Sequence, residues 1–344
     1  MSVIDLPASL RQAVDEVLGS LPLAELTRAA EALSRRYRAE LRDGRRHLDD
    51  DSAALAYLAT RLPATYAAVR SCLESLLEIR PDFAPRQLLD AGAGPGTALW
   101  AAAQLWPQLE AALLIEESPV MRKWGERLAA GLAAGLPARR IAWRTADLRA
   151  GLPDAGSHDL VVLAYVLDEM ESAARPGLID RLWAATGDML LLIEPGTSAG
   201  WQRILAARER LLAAGAAIVA PCPHAAACPL QPPDWCHFAR RLPRSRQHRH
   251  AKTAQLPWED EKFIYLAVSR LPAASPPARV LAHPRAGKGH VRLKLCLARG
   301  DVRNGWSAGA KALFTRQREA WPGAMSSRPD AAYFLSRSPS LASM

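Results

Sequence analysis

The chain has 344 residues, of which 49% are hydrophobic and 23% charged, a composition typical of a globular protein with a full core, and its length predicts about two domains or one domain with large additions. It contains no run of about 18 uncharged apolar residues, and acids near its start (Asp5, Asp15, Glu16) argue against a leader peptide, so we expect neither a membrane span nor a targeting segment. The formal net charge of +9 favours a polyanionic partner such as nucleic acid, although an Ala-, Arg- and Pro-rich composition raises this charge by itself.

Residues 1–80 carry apolar side chains at helical spacing, as at Leu55, Leu58 and Leu62, and predict an N-terminal helical lobe. The arginines between positions 35 and 46 are interpreted as a solvated helix face, with RNA contact as the alternative.

Short apolar runs alternate with helical segments over residues 81–219. The pattern predicts strands at 87–91, 111–115, 141–144, 160–164 and 189–193. It predicts helices at 97–105, 119–132, 176–186 and 200–216. Apolar strands that alternate with helices indicate the α/β class, with a parallel, doubly wound sheet covered on both faces.

The rest of the chain divides into three parts. Residues 220–258 lose periodicity and are rich in Pro, Cys, His and Arg, which predicts an insertion without regular elements. Residues 259–325 return to strand character at 263–268, 278–282 and 291–297, with a hairpin turn at 287–289, and are expected to complete the sheet. The Ser-rich segment 326–344 predicts a disordered tail.

A glycine-rich turn links the first predicted strand to the next helix. Asp90 ends the strand, and Gly92, Gly94 and Gly96 follow, so that the backbone can turn tightly and a ligand can approach it closely. The helix N-terminus adds free N–H groups. The spacing is G-x-G-x-G and not the G-x-G-x-x-G of dinucleotide-binding proteins. The arrangement resembles the first motif of Rossmann-like S-adenosylmethionine (SAM) methyltransferases, in which the turn accommodates the methionine part of SAM.

Two acids further along the chain extend this resemblance. Glu116 follows the second strand, where the SAM methyltransferases hold the ribose hydroxyls with a carboxylate; Glu117 is the alternative. Asp147 follows the third strand, where an acid meets the adenine amino group in those enzymes. The resemblance implies a class I methyltransferase fold with SAM as cofactor, and a degenerate fold that no longer binds SAM is the alternative.

The sequence identifies no catalytic residue. The Asn/Asp-Pro-Pro-Tyr/Phe tetrapeptide of many amino-methylating enzymes is absent, and the residues from Tyr165 to Asp168 stand in its place. Asp168 and Glu169 either line the pocket or cap the next helix. Cys72 lies in the helical lobe and is interpreted as an ordinary buried cysteine.

Three cysteines fall within fifteen residues: Cys222, Cys228 and Cys236. Thiolates bind soft or borderline metals, and a long Pro-rich stretch without regular structure needs another organiser. Zinc knuckles usually have tighter spacing, and three cysteines with a distant fourth, here Cys296, are a common requirement of a cubane iron–sulfur cluster. Spacing alone leaves zinc and iron–sulfur open, and His224 or His237 could replace a cysteine.

The cysteine strings Pro-Cys-Pro-His, Cys-Pro-Leu and Asp-Trp-Cys-His-Phe, with the later segment 258–266, resemble the mitochondrial small-ribosomal-subunit methyltransferase-like family, which also has bacterial members. The resemblance covers residues 50–325 and includes the glycine motif, the Leu295-Cys296 strand and the segment 318–321. It implies association with small-subunit ribosomal RNA during assembly. It also implies a 4Fe–4S cluster on Cys222, Cys228, Cys236 and Cys296.

A basic tract follows the third cysteine. Residues 237–252 contain six Arg or Lys side chains and no acid: Arg240, Arg241, Arg244, Arg246, Arg249 and Lys252. Such a tract predicts salt-dependent contacts with RNA phosphates, and the nearby Trp235 and Phe238 could stack on unpaired bases.

Together these features predict a SAM-dependent methyltransferase-family protein that acts on, or binds, small-subunit ribosomal RNA in ribosome assembly. The alternative is a catalytically inactive, RNA-binding assembly factor gated by the state of its iron–sulfur cluster. We expect a monomer in the bacterial cytoplasm.

Overall fold

The computed structural model describes residues 3–19, 21–38, 50–132, 138, 140–276, 278–282, 285–287 and 290–308. Its helices are α1 (Ala8–Leu18), α2 (Leu23–Arg38), α3 (Asp51–Thr60), α4 (Leu62–Ile79), α5 (Thr97–Ala103), α6 (Pro119–Leu132), α7 (Arg175–Ala184), α8 (Ser198–Ala213) and α9 (Arg246–Ala251). Its strands are β1 (Gln87–Ala91), β2 (Ala111–Ile115), β3 (Arg140–Arg144), β4 (His158–Ala164), β5 (Thr186–Pro195), β6 (Ala217–Ala220), β7 (Phe238–Pro243), β8 (Trp258–Ser269), β9 (Ala278–Val280), β10 (Arg285–Gly287), β11 (His290–Leu297) and β12 (Val302–Ala308).

The first four helices form where apolar residues recur three or four positions apart. Leu10, Val14 and Leu18 make the buried stripe of α1. Asp50 is the N-cap of α3, because its carboxylate accepts the N–H of Ala53 at 2.8 Å. Helix α4 packs against α5, β7 and β8. The helices predicted for residues 1–80 are therefore present, and the last of them covers part of the central sheet.

The central sheet has the strand order β3-β2-β1-β4-β5-β8-β6. Strands β1 to β5 are parallel, whereas β8 is antiparallel to both of its neighbours. Within β4, Leu160 and Val162 pack in one core and Val161 and Leu163 in the other. Because both faces are covered, the strands read as continuous apolar runs. This is the predicted doubly wound sheet of the Rossmann-like class I methyltransferase fold.

Residues 220–258, predicted to lack regular elements, contain two of them. Strand β7 pairs with the first half of β8, with Arg240 opposite Glu261. Helix α9 begins after Ser245, whose hydroxyl accepts the N–H of His248 at 3.1 Å. The long irregular segment is therefore 221–237, which contains three of the cysteines and is called the cysteine loop below.

Among the strands described within residues 259–325, β8 completes the central sheet as predicted. Strands β9 to β12 instead form a separate antiparallel sheet of four strands. In this second sheet β10 and β11 pair antiparallel on either side of the turn predicted at 287–289, with Gly287 opposite His290, and residues 288 and 289 lie outside the described residues. The segments 318–321 and 326–344 lie outside the described residues.

In the part of the chain that the structure describes, no helix is both long enough and apolar enough to cross a lipid bilayer.

Candidate cofactor and cysteine sites

The loop after β1 turns at its glycines. Gly92, Gly94 and Gly96 have φ values of 71°, 55° and 84°, which residues with a Cβ rarely adopt. A Cβ on Gly92 would lie 2.4 Å from Cγ2 of Val166, in the segment after β4. A Cβ on Gly94 would have its nearest neighbours at 3.8 Å. The loop is thus closely packed at its start and more open in its middle.

Glu116, at the carboxyl end of β2, contacts this loop directly. Its Oε2 accepts the N–H of Gly94 at 2.7 Å, and its Oε1 accepts the N–H of Ser118 at 2.8 Å. Burial raises the pKa of the Glu116 carboxyl, and the two N–H groups oppose the rise. Each oxygen has a second lone pair for another donor, such as a ribose hydroxyl. Glu116, and not Glu117, is therefore the acid that bonds to the glycine loop.

Asp90 and Asp147 lie at the same edge of the sheet in different surroundings. Asp90 is 2% exposed, and burial raises its pKa to about 7. Its Oδ2 has no hydrogen-bond partner among the described residues. Asp147 accepts the N–H of Arg149 at 2.8 Å and pairs with its guanidinium, which also contacts Glu117. The structure therefore gathers the predicted cofactor residues at one edge, with a buried acceptor that the described protein leaves unused.

The segment after β4 contains a residue with unusual backbone geometry. Tyr165 has a φ of 60°, a conformation that is uncommon outside glycine. Its hydroxyl donates to Oε1 of Glu261 on β8 at 3.1 Å. Arg61, just before α4, lies 3.7 Å from the same carboxylate oxygen. A helix, the central sheet and the segment after β4 are thus joined beside the glycine loop.

Two other sequence-based expectations concern residues near this edge. Helix α7 has Ala174 as its N-cap, so the interpretation of Asp168 or Glu169 as its cap is wrong. Cys72 is fully buried in α4, and burial raises the pKa of its thiol well above the usual value. Cys72 therefore has the environment predicted for an ordinary core cysteine.

A cavity beside the central sheet brings together four free cysteines that are distant in sequence. They are Cys222, Cys228, Cys236 and Cys296. Burial raises the pKa of Cys236 to about 11 and that of Cys296 to about 12. The structure therefore places all four predicted metal ligands around one cavity.

His224, but not His237, lines the same cavity. Its Nε2 lies 3.3 Å from Sγ of Cys296, and its Nδ1 lies 3.1 Å from the carbonyl oxygen of Ala226. A carbonyl that orients one imidazole nitrogen in this way leaves the other for a thiol or a metal. Gly300, with a φ of 86°, brings the turn after β11 against this part of the loop, since a Cβ there would lie 3.1 Å from Cβ of Ala226.

Two buried arginines that were not predicted from the sequence also line the cavity. Arg208 lies on α8 and Arg279 on β9, and they are 3% and 2% exposed. For Arg208 a signal was available, because it falls on the buried stripe of α8 between Ile204 and Leu211. The short strand around Arg279 offered no comparable signal.

In the arrangement that the described residues have, no group of three or more His, Cys, Asp or Glu side chains is positioned to hold a metal ion. The cavity nevertheless fits a thiolate-bound metal centre in its chemistry. Four free cysteines supply the donors, and two buried arginines, each with an Nε that has no described partner, supply positive charge.

In the basic tract, Arg240 points into the protein. It is 9% exposed, its Nε donates to Oγ of Ser71 at 2.7 Å, and its Nη2 donates to Glu74 at 3.3 Å. Both partners belong to α4. Contrary to the expectation of a phosphate contact, the charge of Arg240 serves to hold β7 on α4.

The other basic side chains of the tract fall into two sets. Arg241 pairs with Asp260, whereas Arg244 and Lys252 share the carboxylate of Glu259. The exposed basic residues of the tract are Arg246 and Arg249, both on α9. RNA contact by the tract remains a prediction. The positive charge that is exposed for such a contact lies on α9.

The sheet order, the glycine and acid edge and the cysteine cavity define the class of protein: a class I methyltransferase fold with a thiol-lined site beside its sheet. A family model described as mitochondrial small ribosomal subunit Rsm22 matches residues 51–319. The chain belongs to this family.

Curated relatives match part of the chain. The human mitochondrial ribosome assembly protein METTL17 is 29% identical over 275 residues, which are 74% of this chain and 57% of the relative. The mitochondrial Rsm22-cox11 tandem protein 2 of Schizosaccharomyces pombe is 30% identical over 197 residues, or 52% of this chain and 26% of that protein. The chain thus spans less than two thirds of the length of either relative.

Solved structures with a similar fold include the magnesium protoporphyrin IX methyltransferase of Synechocystis PCC 6803 with bound SAH, at 14% identity and a TM-score of 0.42. That match covers 76% of this chain and all of the other. The ribosomal protein L11 methylase of Lactobacillus delbrueckii subsp. bulgaricus is 18% identical, with a TM-score of 0.35, over 58% of this chain and 78% of its own.

Proposed function

We propose that the protein is a SAM-binding, methyltransferase-like factor that carries a 4Fe–4S cluster and binds small-subunit ribosomal RNA during ribosome assembly. The observation that carries the proposal is the cavity in which Cys296 joins the three cysteines of the loop, in a chain of the Rsm22 family. Membership of the mitochondrial small ribosomal subunit Rsm22 family and similarity to the human ribosome assembly protein METTL17 support a role in assembly of the small ribosomal subunit.

The cofactor would lie at the carboxyl edge of the sheet. The glycine loop leaves room for the methionine part of SAM, and Glu116 offers its remaining lone pairs to the ribose hydroxyls. Asp147 is the candidate acceptor for the adenine amino group. When bound, SAM supplies an electrophilic methyl group.

The metal proposal is tested by the iron, acid-labile sulfide and zinc content of anaerobically purified protein, together with its visible absorption spectrum. About four iron and four sulfide per chain are expected, as for a cubane cluster. The Cys296→Ser and Cys222→Ser variants should lose them, whereas Cys72→Ser, a buried cysteine outside the cavity, should keep them. If the protein contains zinc and no sulfide, the site is a structural zinc site and not an iron–sulfur cluster. If it contains no metal, the metal proposal is refuted.

SAM binding is tested by calorimetry on Glu116→Gln. This variant keeps the size of the side chain but removes the charge opposite Gly94, and it should bind SAM about tenfold more weakly or worse. Glu110→Gln is the matched control, because Glu110 precedes β2 and pairs with Arg86 at the surface. Equal affinities for wild type and Glu116→Gln would place the ribose elsewhere.

RNA binding is tested by reversing the two exposed charges of α9. The Arg246→Glu, Arg249→Glu double variant should bind a small-subunit RNA fragment more weakly. The slope of the logarithm of the binding constant against the logarithm of the salt concentration should become shallower by about 0.7 for each phosphate contact that is lost. Reversal of Arg11 and Arg86, exposed arginines outside the tract, changes the net charge equally and should have a smaller effect. Equal losses in both double variants would mean that binding follows net charge alone.

A binding platform without methyl transfer is the second candidate function. It is favoured by the segment after β4, where the amino-methylation tetrapeptide is replaced and the hydroxyl of Tyr165 is bonded to Glu261. SAM binding without transfer to small-subunit RNA would support this candidate, and labelled methyl in the RNA would exclude it. If the cluster gates the factor, oxidation of the cluster should lower RNA affinity.

A further inference from the structure

Two arginines are buried in the wall of the cysteine cavity. Arg208 and Arg279 are among the least exposed charged residues described, at 3% and 2%. A guanidinium stays protonated in proteins, so these groups cannot escape burial by losing their charge. A buried charge is costly unless an opposite charge and hydrogen bonds compensate for it.

Arg279 is placed between an aromatic ring and the thiols. Its Nη1 donates to Sγ of Cys236 at 2.7 Å, and the centre of its guanidinium lies 3.8 Å from the ring centroid of Phe238. In the second sheet Arg279 stands opposite Cys296, since β9 and β11 pair in that register. The guanidinium therefore belongs to the surroundings of two of the four cysteines.

Arg208 contacts the part of the loop that holds the other two cysteines. Its Nη2 donates to the carbonyl oxygens of His224 and Ala226, both at 2.8 Å, and these residues lie between Cys222 and Cys228. Arg208 also lines the cavity together with Cys222 and Cys228. Its guanidinium is thus tied to the loop and lies in the wall of the thiol-lined cavity.

Neither arginine has a carboxylate partner within the described ranges, and the Nε of each has no acceptor there. The contrast with Arg203, five residues earlier on the same helix, is informative. Arg203 is also buried, but its Nε pairs with Glu194 at 2.5 Å. The charge of Arg203 is compensated by protein, whereas the two charges at the cavity are not.

We infer that Arg208 and Arg279 are the buried counter-charges of an anionic metal–thiolate centre held by the four cysteines. This inference rests on the proposed metal site. Four thiolates around a zinc ion, or around a cubane core in its doubly positive oxidised form, leave two negative charges. Two guanidinium groups neutralise them without a carboxylate.

The pairing has consequences for the loaded protein. Each guanidinium stabilises the metal–thiolate centre and, for a cubane, stabilises the reduced form most, because reduction adds a negative charge. Removing one guanidinium should therefore weaken metal retention and move the reduction potential to more negative values. In the metal-free protein the same change removes a buried charge that no carboxylate neutralises, so it should lower stability less than it does in the loaded protein.

The test compares wild type with Arg279→Met, Arg279→Lys and Arg208→Met, using full-length chains purified with and without metal. Arg270→Met is the control, because Arg270 is exposed and bonds to backbone carbonyls away from the cavity. We measure the rate of metal loss to a chelator, the reduction potential, and the thermal unfolding of both forms.

Arg279→Met and Arg208→Met should lose metal about 10- to 100-fold faster than wild type, with a more negative potential, as expected for residues that hold a metal ligand or the loop around it. Arg279→Lys, which keeps the charge, should recover most of the retention, and Arg270→Met should match wild type. The Met substitutions should lower the unfolding temperature of the loaded protein by more than that of the metal-free protein.

Two results would overturn the inference while leaving the metal site standing. One is unchanged metal loss and potential in both Met variants. The other is equal destabilisation of the loaded and metal-free forms, which would make the arginines ordinary packing residues. A wild-type protein that holds no metal would refute the proposed site and the inference together.

Discussion

The carboxylate of Glu259 offers a sharp test of how the basic tract is held. Arg244 donates to it at 2.9 Å and Lys252 at 2.8 Å, and Nε2 of the fully buried His248 lies 3.5 Å away. The side chains of Glu259, Arg244 and Lys252 are only 12%, 16% and 22% exposed. One acid on β8 thus neutralises basic groups on either side of α9.

Replacing Glu259 with Gln should therefore cost more than the loss of a surface ion pair. Breaking a fully buried pair costs about 3–5 kcal/mol, and partial exposure reduces this to about 2–3 kcal/mol here. The control is Asp260→Asn, one residue along the strand and paired with Arg241, where both side chains are at least 33% exposed. A surface pair of that kind contributes about 0–1 kcal/mol.

The assay is urea unfolding of both variants at neutral pH, repeated at lower pH. Burial alone would raise the pKa of Glu259, but hydrogen bonds and charge from His248 and Lys252 outweigh it and hold the pKa well below its usual value. The ionised Glu259 carboxylate therefore stabilises the fold fully at pH values above its pKa in the unfolded chain, and this stabilisation is lost as pH falls towards its pKa in the folded protein. The difference in free energy of unfolding between wild type and Glu259→Gln should consequently become smaller in acid. Equal destabilisation by the two substitutions at neutral pH would refute the reasoning.

Three further predictions concern the two sites. In urea unfolding, Gly92→Ala should destabilise the protein by about 2 kcal/mol more than Gly215→Ala. Both glycines have a positive φ, but only Gly92 has a close neighbour, Val166, that an added Cβ would meet. Equal destabilisation by the two substitutions would show that backbone strain alone determines the effect. In the cofactor-free protein, the free energy of unfolding should fall by at most about 4 kcal/mol as pH rises from about 4 to 7. Over this range the unfolded state ionises Asp90, whereas the folded state, in which the pKa of Asp90 is raised from 3.8 to about 7, does not. Asp90→Asn should flatten the dependence of stability on pH, and parallel pH profiles for wild type and variant would contradict the prediction. Chelation of the loaded protein should speed thermolysin cleavage within the loop 221–237, whereas unchanged cleavage would mean that protein contacts alone order it.

The sequence was sufficient to predict the parts of the fold in which the buried positions are apolar. The parallel strands are apolar on both faces, so their positions and those of the intervening helices are close to the predicted ones. The glycine turn and Glu116 could likewise be placed, because the carboxyl ends of β1 and β2 meet at one edge.

Strand β7 was missed because its buried positions are not all apolar. Phe238, Arg240 and Leu242 face inward in regular alternation, but the arginine in the middle hides the period from any hydropathy pattern. Its burial depends on Ser71 and Glu74, which lie more than 160 residues away in sequence. Arg279 could not be predicted for the same reason, because the residues around it come together only when the second sheet has formed.

The place of β8 in the sheet also has a consequence for synthesis. This strand lies between β5 and β6, although it follows both of them in the chain. A nascent chain that has reached residue 220 therefore has β5 and β6 without the strand that separates them, and their unpaired edges must wait until residue 269 has emerged. The cysteine loop, β7 and α9 are made during that interval, so completion of the central sheet cannot precede the synthesis of three of the four cysteines.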